Sequence, residues 1–238
     1  MINPTIMRIT LRGLFGRRRF LLLLPLPALV AGLALLAELL GATPSDWVPP
    51  VVVGLGFAVV LPVMALIVGA SALGSEIEDG TIVHILAKPL PRRDIILSKL
   101  VVALVVTTAT VGAGMVAAGL LAGSGRLALG LLAGTAVGAV AYTTLFLALS
   151  ATTRRPVLFG LLYVLVWEGM LGNLLPGIRL VSILQYAVSV AQSAAATDLF
   201  TSTVSVPVAL VMATLVAIGA TVLAVDRLRS LTLAGETS

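Results

Sequence analysis

Residues able to perform acid–base, thiol or metal chemistry are scarce in this sequence. The chain has one histidine, His84, and no cysteine, so it cannot supply a histidine cluster, a thiol nucleophile or a cysteine metal site. Its lysines, Lys88 and Lys99, follow Ala87 and Ser98, and neither belongs to a Gly-x-x-x-x-Gly-Lys phosphate loop. We therefore expect no catalytic residue, metal or cofactor in this chain, and we do not predict an enzyme.

Glu168 is the one acid near the middle of a long apolar run, five residues before Asn173. An ionisable group inside a membrane is costly and by default indicates a function. Glu168 and Asn173 are therefore candidates for a substrate path, and Glu168 also for proton transfer. The structural alternative is a carboxyl that is protonated, or that is satisfied by Asn173 or by a neighbouring helix.

A polar segment between two apolar runs gathers much of the remaining charge. Glu76, Glu78 and Asp79 suit the start of a helix, because the positive end of the helix dipole favours anions. Residues 81–87 can then form about two helical turns. The pattern predicts a short helix lying across one face of a membrane.

Two prolines end this short helix before the next apolar run begins. Pro89 and Pro91 have no N–H to donate, and each disfavours helical geometry in the residue before it. Arg92, Arg93 and Lys99 follow, and we expect all three at the depth where basic side chains meet lipid headgroups. The segment therefore predicts a helix, a proline break and a helix restart.

The composition indicates an integral membrane protein. Hydrophobic residues make up 59% of the 238 residues, and the mean hydropathy is +1.16, which is too apolar for a soluble domain. The net charge of +5 would suggest nucleic acid only if the basic residues formed a patch on a soluble surface. They lie at the ends of apolar runs instead, so we expect anionic lipid, and no nucleic acid, as the partner of this charge.

The apolar runs predict an all-α, polytopic fold with a single transmembrane domain over residues 1–238. Six runs are long enough to cross a bilayer. They cover residues 20–40, 50–74, 95–122, 127–150, 157–178 and 205–225.

The first 19 residues predict a helix lying on the membrane surface. They contain five arginines, and an apolar stripe with helical spacing runs through Met7, Leu11, Leu14 and Phe15. A twin-arginine export signal is the alternative. It is disfavoured because the run that follows is as long as a full span.

The distribution of basic residues predicts the orientation. With a cytoplasmic N-terminus, six spans place thirteen of the 15 Lys and Arg residues inside, and only Arg126 and Arg179 outside. This follows the positive-inside rule. We therefore expect a multi-pass protein of the cell membrane, plasma or inner, with both termini and the segment 76–99 in the cytoplasm.

The fourth apolar run carries a pattern of small residues that concerns helix packing. Gly130, Gly134 and Gly138 form overlapping Gly-xxx-Gly repeats, which let helix backbones approach closely. Packing within one subunit is favoured over a dimer interface.

Residues 179–204 are too polar for another span and too apolar for a free loop, so we expect an interfacial or re-entrant helix on the outer face.

The polar segment resembles a known family. Glu76-Ile-Glu-Asp-Gly-Thr81, a short apolar helix and Lys88-Pro-Leu-Pro-Arg92 are similar to the cytoplasmic loop after the second span of type-2 ATP-binding-cassette (ABC) transporter permeases. The likeness is greatest to short forms such as that of the nitrous-oxide reductase operon. The family usually has Ser or Thr where this chain has Pro91.

This resemblance implies that the loop carries a coupling helix that docks on a separate ATPase subunit. The residues assigned to coupling are Glu76, Glu78, Asp79, Gly80, Thr81, His84, Lys88, Pro89 and Arg92. The expected partners are two ATPase subunits, which would hold ATP and Mg, and a second permease subunit in a homodimer or heterodimer. The resemblance also implies outward transport, whereas the alternative function is a proton-coupled secondary transporter using Glu168.

Overall fold

The computed structural model describes residues 7–8, 10–11, 24–78, 92–172 and 176–235, without the side chains of 73–78, 92, 176 and 229–235. Every regular element in these ranges is a helix. The all-α prediction is therefore confirmed.

Eight α-helices follow one another along the described ranges. They are α1 Pro25–Leu39, α2 Pro44–Val48, α3 Leu61–Glu78, α4 Arg92–Leu121, α5 Gly125–Thr152, α6 Pro156–Leu162, α7 Ile183–Ala195 and α8 Val206–Gly235. A π-helical segment, Pro49–Val60, joins α2 to α3, and a second one, Tyr163–Leu171, continues α6. A short 3₁₀ helix, Pro176–Val181, precedes α7.

Local sequence signals set several helix ends. Gly41 and Gly123 follow α1 and α4 with φ of 76° and 72°, the left-handed conformation that glycine adopts at low cost just past a helix. Ser124 begins α5, because its hydroxyl accepts a hydrogen bond from the Leu127 amide at 3.1 Å. Ser182 begins α7 in the same way, with the Gln185 amide at 3.3 Å.

Among the described residues, four helices are long and apolar enough to cross a bilayer, namely Pro44–Ala72, Arg93–Leu121, Gly125–Thr152 and Val206–Leu228. The predicted spans at 20–40 and 157–178 coincide with the shorter apolar helices Pro25–Leu39 and Pro156–Leu171. The structure therefore supports four spans by length and composition, and the count of six stays a prediction.

Helix α5 is the centre of the bundle. It packs against α3, α4, α7 and α8, and its side chains Tyr142 and Phe146 are fully buried. The two rings stack with centroids 5.9 Å apart.

Met7 and Leu228 lie at the end of the bundle where α3 ends and α4 begins. A cluster of apolar side chains there includes Val68 of α3, Ile96 of α4 and Leu147 of α5, together with Leu228 of α8. Met7 packs against this cluster. The four helices and Met7 thus share one packed layer, which we call the inner cluster.

Candidate functional site

The predicted coupling segment lies mostly outside the described residues. Asp79, Gly80, Thr81, His84, Lys88 and Pro89 belong to this undescribed part, whereas Glu76 and Glu78 lie in the last turn of α3 and Arg92 begins α4. The prediction that Glu76 and Glu78 stand at the start of a helix was wrong, because both belong to the last turn of α3. The structure describes the two helices that flank the segment, and the coupling role of its residues stays a prediction.

The flanking helices α3 and α4 pack against each other. Val68 and Ala72 of α3 meet Ile96 and Ala103 of α4 within the inner cluster. A force applied to the intervening segment would therefore act on two helices that are already in contact.

Lys99 does not occupy the headgroup position predicted for it. Its side chain is 0% exposed, and its Nζ donates a hydrogen bond to the carbonyl oxygen of Ala72 at 2.7 Å. Ile96 and Ala103, three residues before and four after Lys99, share its helix face and lie in the inner cluster. Lys99 therefore points into the bundle, and the prediction of lipid contact was wrong for this residue.

Arg93 keeps the exposed position expected of a basic residue at a membrane surface. Its side chain is 71% exposed and lies 3.6 Å from the carboxylate of Asp94. An exposed pair of this kind contributes little to stability, because water screens both charges.

Glu168 lies in the second π-helical segment and is 5% exposed. One carboxylate oxygen accepts hydrogen bonds from the Ile183 amide at 2.9 Å and from the Tyr163 hydroxyl at 3.2 Å. The other accepts one from the Ser182 hydroxyl. Both oxygens are therefore occupied by groups of the protein, two of them at the start of α7.

The carboxyl of Glu168 thus joins the second π-helical segment to the N-terminus of α7. Ile183 is the first residue of α7, where backbone amides lack helical acceptors and the dipole favours negative charge. Ser182 donates to Glu168 and also accepts from the Gln185 amide. We call Glu168, Ser182 and the Ile183 amide the carboxyl clasp.

Three tyrosines surround the carboxyl clasp. Tyr163 donates to it directly. The Tyr142 hydroxyl faces Glu168, although no hydrogen bond of standard geometry joins it to any described residue. Burial, together with the charge of Glu168, raises the pKa of Tyr186 to about 12, and its hydroxyl donates to the Leu180 carbonyl at 2.8 Å. The clasp therefore lies in an aromatic, water-poor environment.

The clasp corresponds to the structural alternative for Glu168, with Ser182 and Ile183 as the partners. Asn173, the partner named from the sequence, lies outside the described residues. Sequence reasoning missed Ser182, although Ser182-Ile-Leu-Gln185 has the spacing of a helix-capping signal. A role of Glu168 in a substrate path stays a prediction.

The glycine repeats of α5 receive the small residues of α7. A Cβ atom at Gly130 would lie 2.6 Å from that of Ala195, and one at Gly134 would lie 2.7 Å from that of Ala191. Gly138 faces Leu61, where a Cβ atom would lie 2.6 Å from Cδ2. These contacts occur within one chain and run antiparallel, so the repeats hold α7 along α5.

We expect Gly134→Leu to destabilise the bundle by about 1–3 kcal/mol, because the added side chain would collide with α7. The contact at Gly134 includes the Ala187 carbonyl oxygen, which cannot move without shifting the helix. Thermal unfolding of the detergent-purified chain, followed by size-exclusion chromatography, measures the loss. Gly219→Leu in α8 is the matched control, because a Cβ atom there meets nothing within 4 Å. Equal unfolding temperatures for the two variants would contradict this packing.

No three His, Asp or Glu side chains of the described residues are grouped so that they could hold a metal ion.

Comparison with known protein families gives a match over most of the described helices. A family model described as "ABC-2 family transporter protein" matches residues 17–172. The matched range includes α1 to α6 and therefore both helices that flank the polar segment. A search of the curated proteins found no match.

Proposed function

We propose, from the premise that this chain belongs to the ABC-2 family of transporter proteins, that it is the permease subunit of an ATP-driven transporter. The segment 75–94 would couple it to a separate ATPase subunit. The observation that carries this proposal is the family match over residues 17–172, which includes that segment and both of its flanking helices. ATP and Mg would be bound by the partner subunit.

The chemistry of the segment supports a docking role. Glu76 and Glu78 lie in the last turn of α3, and Asp79 and Gly80 follow them in the sequence, so three acids stand together where the segment begins and could contact a basic surface of a partner. The contact between α3 and α4 means that displacement of the segment would reach both flanking helices. We propose that the short helix receives the motion of the ATPase and that α3 and α4 carry it into the bundle.

The proposed orientation places the inner cluster on the cytoplasmic side of the cell membrane. The described arginines of that end, Arg8, Arg93, Arg154, Arg155 and Arg227, are exposed. Their positive charge suits the cytoplasmic leaflet. Met7 and Leu228 pack in the same layer, which favours both termini on that side.

We further propose an assembly of two permease subunits with two ATPase subunits, moving substrate outward. Each chain supplies one coupling segment, so two chains would be needed for two ATPase subunits. Large apolar side chains are exposed on α1 and α6, among them Leu33, Leu36, Leu158 and Leu162. These faces are suited to contact with lipid or with the second subunit.

The test is affinity purification of the chain from its native membranes in mild detergent, with identification of co-purifying proteins by mass spectrometry. We expect a soluble ATPase with a phosphate-binding loop to accompany the chain, and ATP hydrolysis in the purified complex. Purification of the chain alone, with no effect of nucleotide on transport in vesicles, would contradict the proposal.

A further inference from the structure

We infer that Lys99 is a positioning residue that ties α4 to α3, the two helices that flank the coupling segment, so that the two helices move together. The consequence for transport rests on the proposed function. The tie itself is a property of this chain alone, and it can be measured without a partner.

The contact joins the two helices that flank the segment in the sequence. The Lys99 ammonium donates to the Ala72 carbonyl at 2.7 Å, and the two residues are 27 positions apart in the sequence. In the sequence, the coupling segment joins the two helices that this hydrogen bond connects. A hydrogen bond placed here fixes the separation of the two helices where a load from the segment would arrive.

The burial of Lys99 indicates that the contact is maintained. An ammonium group removed from water carries a large desolvation cost unless hydrogen bonds replace its hydration. Lys99 is 0% exposed, and it makes a further interaction besides the one with Ala72. A carbonyl oxygen has two lone pairs, so Ala72 can accept from Lys99 while remaining in the α3 hydrogen-bond ladder.

The surroundings strengthen this hydrogen bond. Ala72 belongs to the inner cluster, together with Leu100, Leu147 and Ala224. Four helices therefore exclude water from the contact, and a hydrogen bond in such a low-dielectric setting is electrostatically stronger than one at the surface. If α3 separated from α4 at this level, the Lys99 ammonium would lose its acceptor on Ala72 and remain among apolar side chains.

Lys99→Met tests the tie, because methionine keeps an unbranched side chain but has no donor. Lys99→Arg restores charge and donors, and Arg93→Met is the control at an exposed position. The chain has no cysteine, so Ile67→Cys and Leu97→Cys place spin labels on α3 and α4 without background. Pulsed electron paramagnetic resonance of the purified chain then gives the distribution of α3–α4 distances.

We expect a narrow distance distribution in the parent chain and in Arg93→Met, a broader one in Lys99→Met, and recovery in Lys99→Arg. In the reconstituted transporter, Lys99→Met should keep its ATP hydrolysis but transport several-fold less substrate per ATP. Loss of stability alone would not change that ratio. If Lys99→Met does not fold, Lys99→Gln provides the same comparison with a polar side chain too short to reach α3 as lysine does.

If Lys99→Met has the same α3–α4 distance distribution as the parent chain, Lys99 does not hold the two helices together. A broader distribution with an unchanged ratio of transport to ATP hydrolysis would overturn the positioning role. If no ATPase associates with the parent chain, the proposed function fails, while the distance measurement still decides whether Lys99 holds the helices together.

Discussion

Glu78→Arg and Gly80→Pro should each abolish transport and release the ATPase, with little effect on folding of the chain. Glu78→Arg reverses a charge at the last residue of α3, directly before the proposed docking helix in the sequence. Gly80→Pro removes a backbone N–H and restricts the conformation of Asp79. Loss of a charged contact at an interface costs several kcal/mol, so we expect the affinity for the ATPase to fall by more than about tenfold. Co-purification and transport in vesicles measure both effects.

Two matched variants at the opposite end of the bundle control for charge reversal and for proline. Asp198→Arg makes the same charge change at an exposed position. Gly125→Pro places proline at the first residue of α5, where the ring is tolerated and the N–H has no helical partner. Both controls should transport normally. Normal transport in Glu78→Arg and Gly80→Pro would instead remove the coupling role from this segment.

Glu168→Ala should lower the stability of the chain by about 3 kcal/mol or more. The substitution leaves the Ile183 amide and the Ser182 and Tyr163 hydroxyls without the acceptor they use, and each unsatisfied buried donor costs about 1–3 kcal/mol. Thermal unfolding in detergent measures the loss. Glu38→Ala, at a half-buried acid near the end of α1, is the control and should change stability little.

Glu168→Gln separates the clasp from proton transfer. The amide oxygen can still accept from Ile183, and the Ser182 hydroxyl can rotate to accept from the amide nitrogen. We therefore expect near-normal transport in a chain that is slightly less stable. A stable Glu168→Gln chain without transport would favour the proton-coupled alternative over the ATP-driven one.

A double-mutant cycle can measure the clasp directly. Ser182→Ala removes the donor to Glu168 and the cap of α7. Because the two residues share a hydrogen bond, their effects should not add, with an interaction energy of about 0.5–3 kcal/mol. Additive losses in unfolding free energy would mean that Glu168 and Ser182 act independently.

The clasp and the glycine repeats act on the same helix at different places. The repeats fix the face of α7 along α5, whereas the clasp fixes its first turn against the second π-helical segment. Helix α7 is therefore held at its start and along its length. We expect it to move with α5 during transport.

The sequence by itself determined the class of the protein and the position of its polar segment. In a bilayer, backbone groups must find their partners within the same helix, so long apolar runs predict helices without knowledge of their neighbours. The all-α fold and the helices at Arg93–Leu121 and Gly125–Thr152 follow from this rule. The residues of the polar segment that resemble a permease loop indicated the family that the match to residues 17–172 supports.

Only the tertiary structure decided which residues meet. The spacing of Gly130, Gly134 and Gly138 predicted a close approach, but the approaching helix is α7, a segment whose partner no local pattern specifies. Two of the three donors to Glu168 lie 14 and 15 residues further along the chain, a pairing that hydropathy does not encode. Lys99 stands at the same kind of position as Arg93, yet one is buried and the other exposed. The physical reason is that each side chain faces lipid, water or protein according to how its helix is rotated against its neighbours, which long-range packing sets.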